Sequence, residues 1–223
     1  MELNKIVLTI DQSPRELLIN RTYCIGYTGR NKDKVYEHIK ELAEIGVPEP
    51  AEVPMLYPVS AYTLNQSNDI QVIGDKTSGE AELVLVFDQD EVLLTIGSDH
   101  TDRGLETVDI NKSKQVCDKP IGTEAWYITD VLNHWDELII RSEQQIENEW
   151  VLYQENPVSS IISYEEIISF LEKKDVSLTN TVVFAGTVPL IDGFKYGQAF
   201  KMRIIDPVRN KNIEASYTVT QIA

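Results

Sequence analysis

Apolar positions along this chain recur mostly with a period of two, and only twice with the period of a helix. Residues 3–10 (LNKIVLTI) and 15–20 (RELLIN) read as two short strands around an Asp11–Pro14 turn, a candidate hairpin. Residues 80–87 (EAELVLVF) and 91–97 (EVLLTIG) form a second strand pair. Residues 137–142 (ELIIRS) and 149–154 (EWVLYQ) form a third, with an acidic tip over Glu143–Glu149. Segments 181–188 (TVVFAGTV), 198–206 (QAFKMRIID) and 213–222 (IEASYTVTQI) complete the strands. Between the first pair and the rest, residues 21–31 (RTYCIGYTGRN) read as a glycine-containing loop.

Val35, Ile39, Leu42 and Ile45 fall on one face of a helix spanning 33–45, which Val47-Pro48-Glu49-Pro50 terminates. A second helix covers 163–174, with Ser163 as N-cap and Glu166 completing a capping box. No strand-helix-strand alternation is present, so a doubly wound parallel sheet is excluded and a mainly β fold with a few short helices is expected. The 223 residues fit one domain, 1–223: N-terminal strands and loop over 1–30, then a helix-bearing segment over 31–50.

Charge narrows the partners. The chain carries 36 acidic and 20 basic residues, a net charge of -16, which repels phosphate backbones and argues against nucleic acid. The N-terminus, beginning Met1-Glu2-Leu3, has no basic segment ahead of a long apolar run. No stretch approaches the roughly 20 apolar residues of a membrane helix, so no membrane partner is expected and a cytoplasmic location is. Cys24 and Cys117 belong to no Cys-x-x-Cys pair and are expected as reduced thiols. Neither a Gly-x-Ser-x-Gly elbow nor a phosphate-binding loop is present.

One cluster of residue types suggests chemistry. Glu80 and Glu82 stand two apart on a strand, on the same face as Val84 and Val86. Two carboxylates on an otherwise apolar face are unfavourable unless something neutralises them. If the hairpin loop holds an even number of residues, such as Gln89-Asp90, Glu80 falls opposite Asp99 and the three carboxylates converge; an odd loop would turn Asp99 to the other face. Three hard oxygen ligands suit Mg²⁺ or Mn²⁺, with Ca²⁺ also admitted, better than zinc. Spacing alone also fits a solvated strand face.

These segments, in order, resemble the catalytic domain of the fumarylacetoacetate hydrolase superfamily. Gly79–Val86 resembles that family's Glu-x-Glu metal strand, and Gly97–Arg103 its Asn-Asp-Val-Ser-Ala-Arg-Asp segment. Ser159–Leu171 resembles the helix after its Gly-Asn-Thr turn, here Asn156-Pro157. Thr179–Pro189 resembles its Gly-Asp-x-Ile-x-Thr-Gly-Thr-Pro segment, with proline displaced by one. His38-Ile39-Lys40-Glu41 resembles its His-x-x-Glu pair on a mobile lid, and Tyr27–Arg30 and His134-Trp135-Asp136 are similar to an uncharacterised branch.

The resemblance implies a β-rich roll, a homodimer, and a divalent metal held by Glu80, Glu82 and Asp99. It implies cleavage, decarboxylation or tautomerisation beside the carbonyl of a small anionic keto acid. Catalytic roles fall to His38 as base, Glu41 orienting it, and Lys114, ahead of Lys112 and Lys119, as a cation near the oxyanion. Gly186 and Thr187 are placed beside the substrate, and Arg30 is a candidate for its carboxylate. Asp102 and Arg103 are expected to form a local ion pair, His100 to point away from the carboxylates, and His134 to lack a base partner. Two alternatives are a metal- and carboxylate-binding protein without turnover, and a β-sandwich interaction domain without metal.

Overall fold

The computed structural model describes residues 4–223, so residue 3 of the first expected strand, and the Met1–Leu3 terminus, lie outside it. The expectation of a mainly β fold with few helices holds. The strands form two main sheets. In the six-stranded sheet the order is Trp126–Tyr127, Glu91–Ser98, Ala81–Asp88, Thr181–Thr187, Arg21–Gly26, Met55–Val59. In the five-stranded sheet it is Glu149–Pro157, Ile139–Ile146, Ala199–Asp206, Lys211–Gln221, Asp69–Val72.

The Ala81–Asp88 strand is central, and its side chains face two cores. Ala81, Leu83, Leu85 and Phe87 pack toward the five-stranded sheet with Ile140, Tyr153, Phe200 and Met202. Val84 and Val86 pack on the opposite face with Ile6, Leu8, Leu17 and Ile19 of the N-terminal hairpin. Burial on both faces explains why this strand and Thr181–Thr187 read as continuous apolar runs rather than alternating ones. The Thr181–Thr187 strand is covered within one chain, so its apolarity requires no partner molecule.

The hairpin turns are tighter than the sequence indicated. Asn4–Ile10 pairs with Ser13–Ile19 through Asp11-Gln12, both at positive φ, a two-residue turn whose twist suits antiparallel strands. The acidic tip shrinks likewise: Ile139–Ile146 and Glu149–Pro157 extend to a Glu147-Asn148 turn, so Glu143 lies in a strand.

The expected loop over 21–31 is the largest correction. Arg21–Gly26 is a strand, parallel to Thr181–Thr187 and antiparallel to Met55–Val59. Its glycine comes last, and Thr22, Cys24 and Ile25 are buried between long-range neighbours that no local pattern reveals.

Helix α1 runs Lys32–Glu44, with Asn31 capping the Lys34 N–H. Gly46, at φ +95°, follows its end directly, ahead of the prolines expected to stop it. Short helices α2 (Arg103–Glu106) and α3 (Ile110–Gln115) follow the metal-candidate strand and bring Arg103 and Lys114 back over it. Helix α4 (Tyr164–Lys173) has the expected capping box: Ser163 Oγ accepts from the Glu166 N–H, and the Glu166 carboxylate accepts from the Ser163 N–H.

Candidate metal centre

Register decides whether the carboxylates meet. The connecting turn holds two residues, Gln89 and Asp90, with Asp88 opposite Glu91 and Ala81 opposite Ser98. One step beyond that ladder, the Asp99 N–H donates to the Glu80 carbonyl at 3.0 Å. Glu80, Glu82 and Asp99 therefore share a face, and each offers an oxygen within 4.8 Å of the others. Glu82 and Asp99 are buried and Glu80 is partly so.

A backbone amide or a cationic side chain lies against one oxygen of each carboxylate. Glu82 Oε2 accepts the Gly186 N–H at 3.0 Å. Asp99 Oδ2 lies 2.5 Å from Lys114 Nζ, and Glu80 Oε2 lies 3.3 Å from Arg103 Nη2. Each carboxylate keeps a second oxygen, although Asp99 Oδ1 also has Thr101 Oγ1 at 3.4 Å and Lys119 Nζ at 3.5 Å.

Electrostatics separate the two buried acids. Burial pushes the Glu82 carboxyl well up, and the Asp99 and Glu80 charges add to it; Lys114 and the Gly186 amide only partly oppose them. Burial also disfavours the charged form of Asp99, but Lys114 and Lys119 outweigh it and hold that carboxyl down to about 2. Glu82 is thus a buried carboxylate short of positive charge, beside two others. A divalent cation supplies the missing charge, and the all-oxygen donor set fits Mg²⁺, Mn²⁺ or Ca²⁺.

The three lysine candidates separate cleanly. Lys112 is exposed and pairs with Asp109. Lys119 is fully buried, donating to the carbonyls of His100 and Cys117 at 2.7 and 2.9 Å and to that of Lys114. Lys114 lies against the carboxylate oxygen of Asp99, with its Nζ 5.6 Å from the centre of the Tyr57 ring.

Gly186 has φ +109°, and a Cβ added there would fall 1.9 Å from Thr28 Oγ1. Its lack of a side chain lets the backbone turn its amide onto Glu82. Thr187 Oγ1 donates to the Ala81 carbonyl at 2.8 Å and accepts from Gln154 Nε2 at 2.6 Å. Both residues therefore brace the metal-candidate strand.

Other candidates sit further out. His38 and Glu41 face each other at 3.6 Å on an exposed face of α1, with side chains 59% and 76% accessible. The Arg30 guanidinium forms a forked pair with Asp136 at 2.7 and 2.6 Å and donates to the Ile161 carbonyl at 2.9 Å.

Three local expectations resolve differently. His100 does point away, and both ring nitrogens are engaged, by Tyr217 Oη and Thr77 Oγ1 at 2.9 Å each. Burial, with Lys119 and Arg103 nearby, pushes it down to about 3, so it stays neutral. Asp102 and Arg103 do not pair: Asp102 caps α2 through the Leu105 N–H, while Arg103 turns to Glu80 and Glu106. Adjacent opposite charges suggested a pair, but successive residues at a strand-to-helix junction point in different directions. His134 does have a carboxylate partner, Asp206 Oδ2 at 3.0 Å, 72 residues away in sequence. Glu106 was not singled out by sequence; its helical spacing of three from Arg103 was the available signal.

The model of a family described as protein of unknown function (DUF2848) matches residues 25–217. No curated protein matches the sequence. Among solved structures, a Burkholderia cenocepacia protein proposed to be a fumarylpyruvate hydrolase is similar at 15% identity and TM-score 0.68, covering 98% of this chain and 92% of that one. A 2-keto-3-deoxy-D-arabinonate dehydratase complexed with magnesium and 2,5-dioxopentanoate matches at 16% identity and TM-score 0.64, over 93% of this chain and 76% of that one. A 4-oxalocrotonate decarboxylase from Pseudomonas putida G7, complexed with calcium and acetate, matches at 12% identity and TM-score 0.54, over 91% and 78%. The chain belongs to the DUF2848 family, and its fold is that of the fumarylacetoacetate hydrolase superfamily.

Proposed function

We propose that this chain is a divalent-metal-dependent enzyme acting beside the carbonyl of a small keto acid, by hydrolysis, decarboxylation or tautomerisation. The observation that carries the reading is the triad Glu80, Glu82 and Asp99: converging and largely buried, with one oxygen of each against an amide or a cation of the protein. Glu80, Glu82 and Asp99 would hold the cation. A bound Mg²⁺ or Mn²⁺ would supply Lewis acidity toward a keto oxygen and its neighbouring carboxylate.

The chain's own groups do the rest. Lys114, kept protonated because the surrounding carboxylates outweigh its burial, places a fixed positive charge beside the triad, where an enolate-type oxygen would develop charge. The Gly186 amide and Arg103 hold their carboxylates in place, so no rearrangement is needed when charge develops. His38, oriented by Glu41, is the proposed base; it is exposed, so α1 must close over the bound substrate for it to act. Arg30, already paired with Asp136, would meet a substrate carboxylate only by exchanging that partner.

Support from relatives is at the level of fold, and similar structures carry magnesium with 2,5-dioxopentanoate, and calcium with acetate. The test combines two measurements: calorimetric titration of Mg²⁺ and Mn²⁺, and turnover of a panel of oxaloacetate and acylpyruvates. The reading expects binding that Glu80→Gln with Glu82→Gln abolishes, and metal-dependent turnover of at least one keto acid. Binding without turnover across the panel would favour a carboxylate-binding protein; unchanged affinity in the double variant would remove the site.

A further inference from the structure

Arg103 is among the most buried charges in the protein, its side chain 4% exposed, and the proposed chemistry uses it only to hold Glu80. Its guanidinium is hydrogen-bonded at two nitrogens, while the third, Nη2, makes a charge contact without a hydrogen bond. Nε donates to Ser78 Oγ at 2.8 Å, and Nη1 donates to both oxygens of Glu106, at 3.0 and 3.2 Å. Nη2 faces Glu80 Oε2 at 3.3 Å, and the Phe194 ring centre lies 4.3 Å from the guanidinium carbon. Glu106 stands one helical turn along α2, its side chain 10% exposed.

We infer that Arg103 and Glu106 act as a positioning pair for the metal centre: Arg103 aims Glu80 at the shared cation position, and Glu106 keeps Arg103 from binding Glu80 too strongly. The inference rests on the metal reading above.

Glu80 and Glu106 compete for one guanidinium. Glu80 is the least buried of the three carboxylates, so it has the most freedom to swing away. A single long contact to Arg103 restrains it without occupying both oxygens. An arginine with one acid partner forks onto both oxygens of that partner. Here Glu106 occupies Nη1 with both its oxygens and Ser78 takes Nε, so neither two-nitrogen edge is free to fork onto Glu80, which keeps the 3.3 Å contact to Nη2. Without Glu106 the guanidinium would turn onto Glu80 and compete with the cation. With lysine in place of Arg103, the charge remains but one ammonium cannot reach Ser78, Glu106 and Glu80 together.

The experiment is calorimetric titration of Mn²⁺ into the full chain and into Arg103→Lys, Glu106→Ala and Glu106→Gln, with circular dichroism and melting temperature on each. We expect Arg103→Lys and Glu106→Ala to bind at least about tenfold more weakly, and Glu106→Gln, which keeps an acceptor for Nη1, to stay within about threefold of the parent. A purely structural role would lower melting temperature and leave affinity unmoved. Folded Arg103→Lys or Glu106→Ala protein with parental affinity, or Glu106→Gln as weak as Glu106→Ala, overturns the assignment. If Arg103→Lys does not fold, the two Glu106 variants decide. Absence of Mn²⁺ binding by the parent protein overturns the metal reading and this pair with it; parental binding with unmoved variants overturns the pair alone.

Discussion

Gly186 links backbone conformation to site geometry in one residue. Its left-handed φ and the proximity of Thr28 mean that any side chain must push the strand end away from Glu82. Gly186→Ala should therefore cost about 2–4 kcal/mol in urea denaturation, from strain and overpacking together. It should also weaken metal binding, because the amide that fixes Glu82 moves. A stable variant with parental affinity would show that the amide contact is incidental. At this scale Glu80 and Glu82 were legible on one strand face from alternation alone, whereas Asp99 joined them only on the condition of an even turn, which Gln89-Asp90 meets. Their restraining donors were not. Gly186 lies 104 residues from Glu82, and Lys114 lies 15 from Asp99 across two short helices.

Elements were legible wherever a local rule governs them. The α4 capping box is a contact between residues three apart, and Ser163→Ala should cost about 1 kcal/mol, read as a lower urea midpoint. The Arg21–Gly26 strand was missed because its pairing partners come from residues 55–59 and 181–184.

The His134–Asp206 contact joins the turn around residue 134 to the Ala199–Asp206 and Lys211–Gln221 hairpin. Burial of the Asp206 carboxyl raises its pKa, but the Arg209 N–H and the His134 ring outweigh it, and the carboxyl lies below the usual range. A carboxyl depressed in the folded state contributes stability above its unfolded pKa and loses it as pH falls through the folded value. Below about pH 4, Asp206→Asn should lose less stability per pH unit than the parent. Urea midpoints from pH 6 down to 3 would check this; parallel slopes would show that Asp206 does not carry the effect.

Two sheets enclose one large core, and the N-terminal hairpin closes a second on the outer face of the six-stranded sheet. Among the described residues no helix is long and apolar enough to cross a membrane. The resemblance implies a homodimer, and sedimentation at micromolar concentration should find twice the 25.3 kDa chain mass. A monomer would limit that expectation to other branches of the fold. Bound Mg²⁺ should raise the melting temperature with concentration, since a ligand held only by the folded state stabilises it by mass action. Fold class was legible from the pattern of strands; the order of strands within each sheet was not, because parallel and long-range pairings leave no mark on local periodicity.

One divalent cation shared by Glu80, Glu82 and Asp99 is the core of the proposed function. Anomalous diffraction from crystals soaked in millimolar Mn²⁺ tests it most directly. The expected result is a single strong peak within coordination distance of one oxygen from each of the three carboxylates. A peak elsewhere, or none at that position in a well-occupied soak, would contradict it.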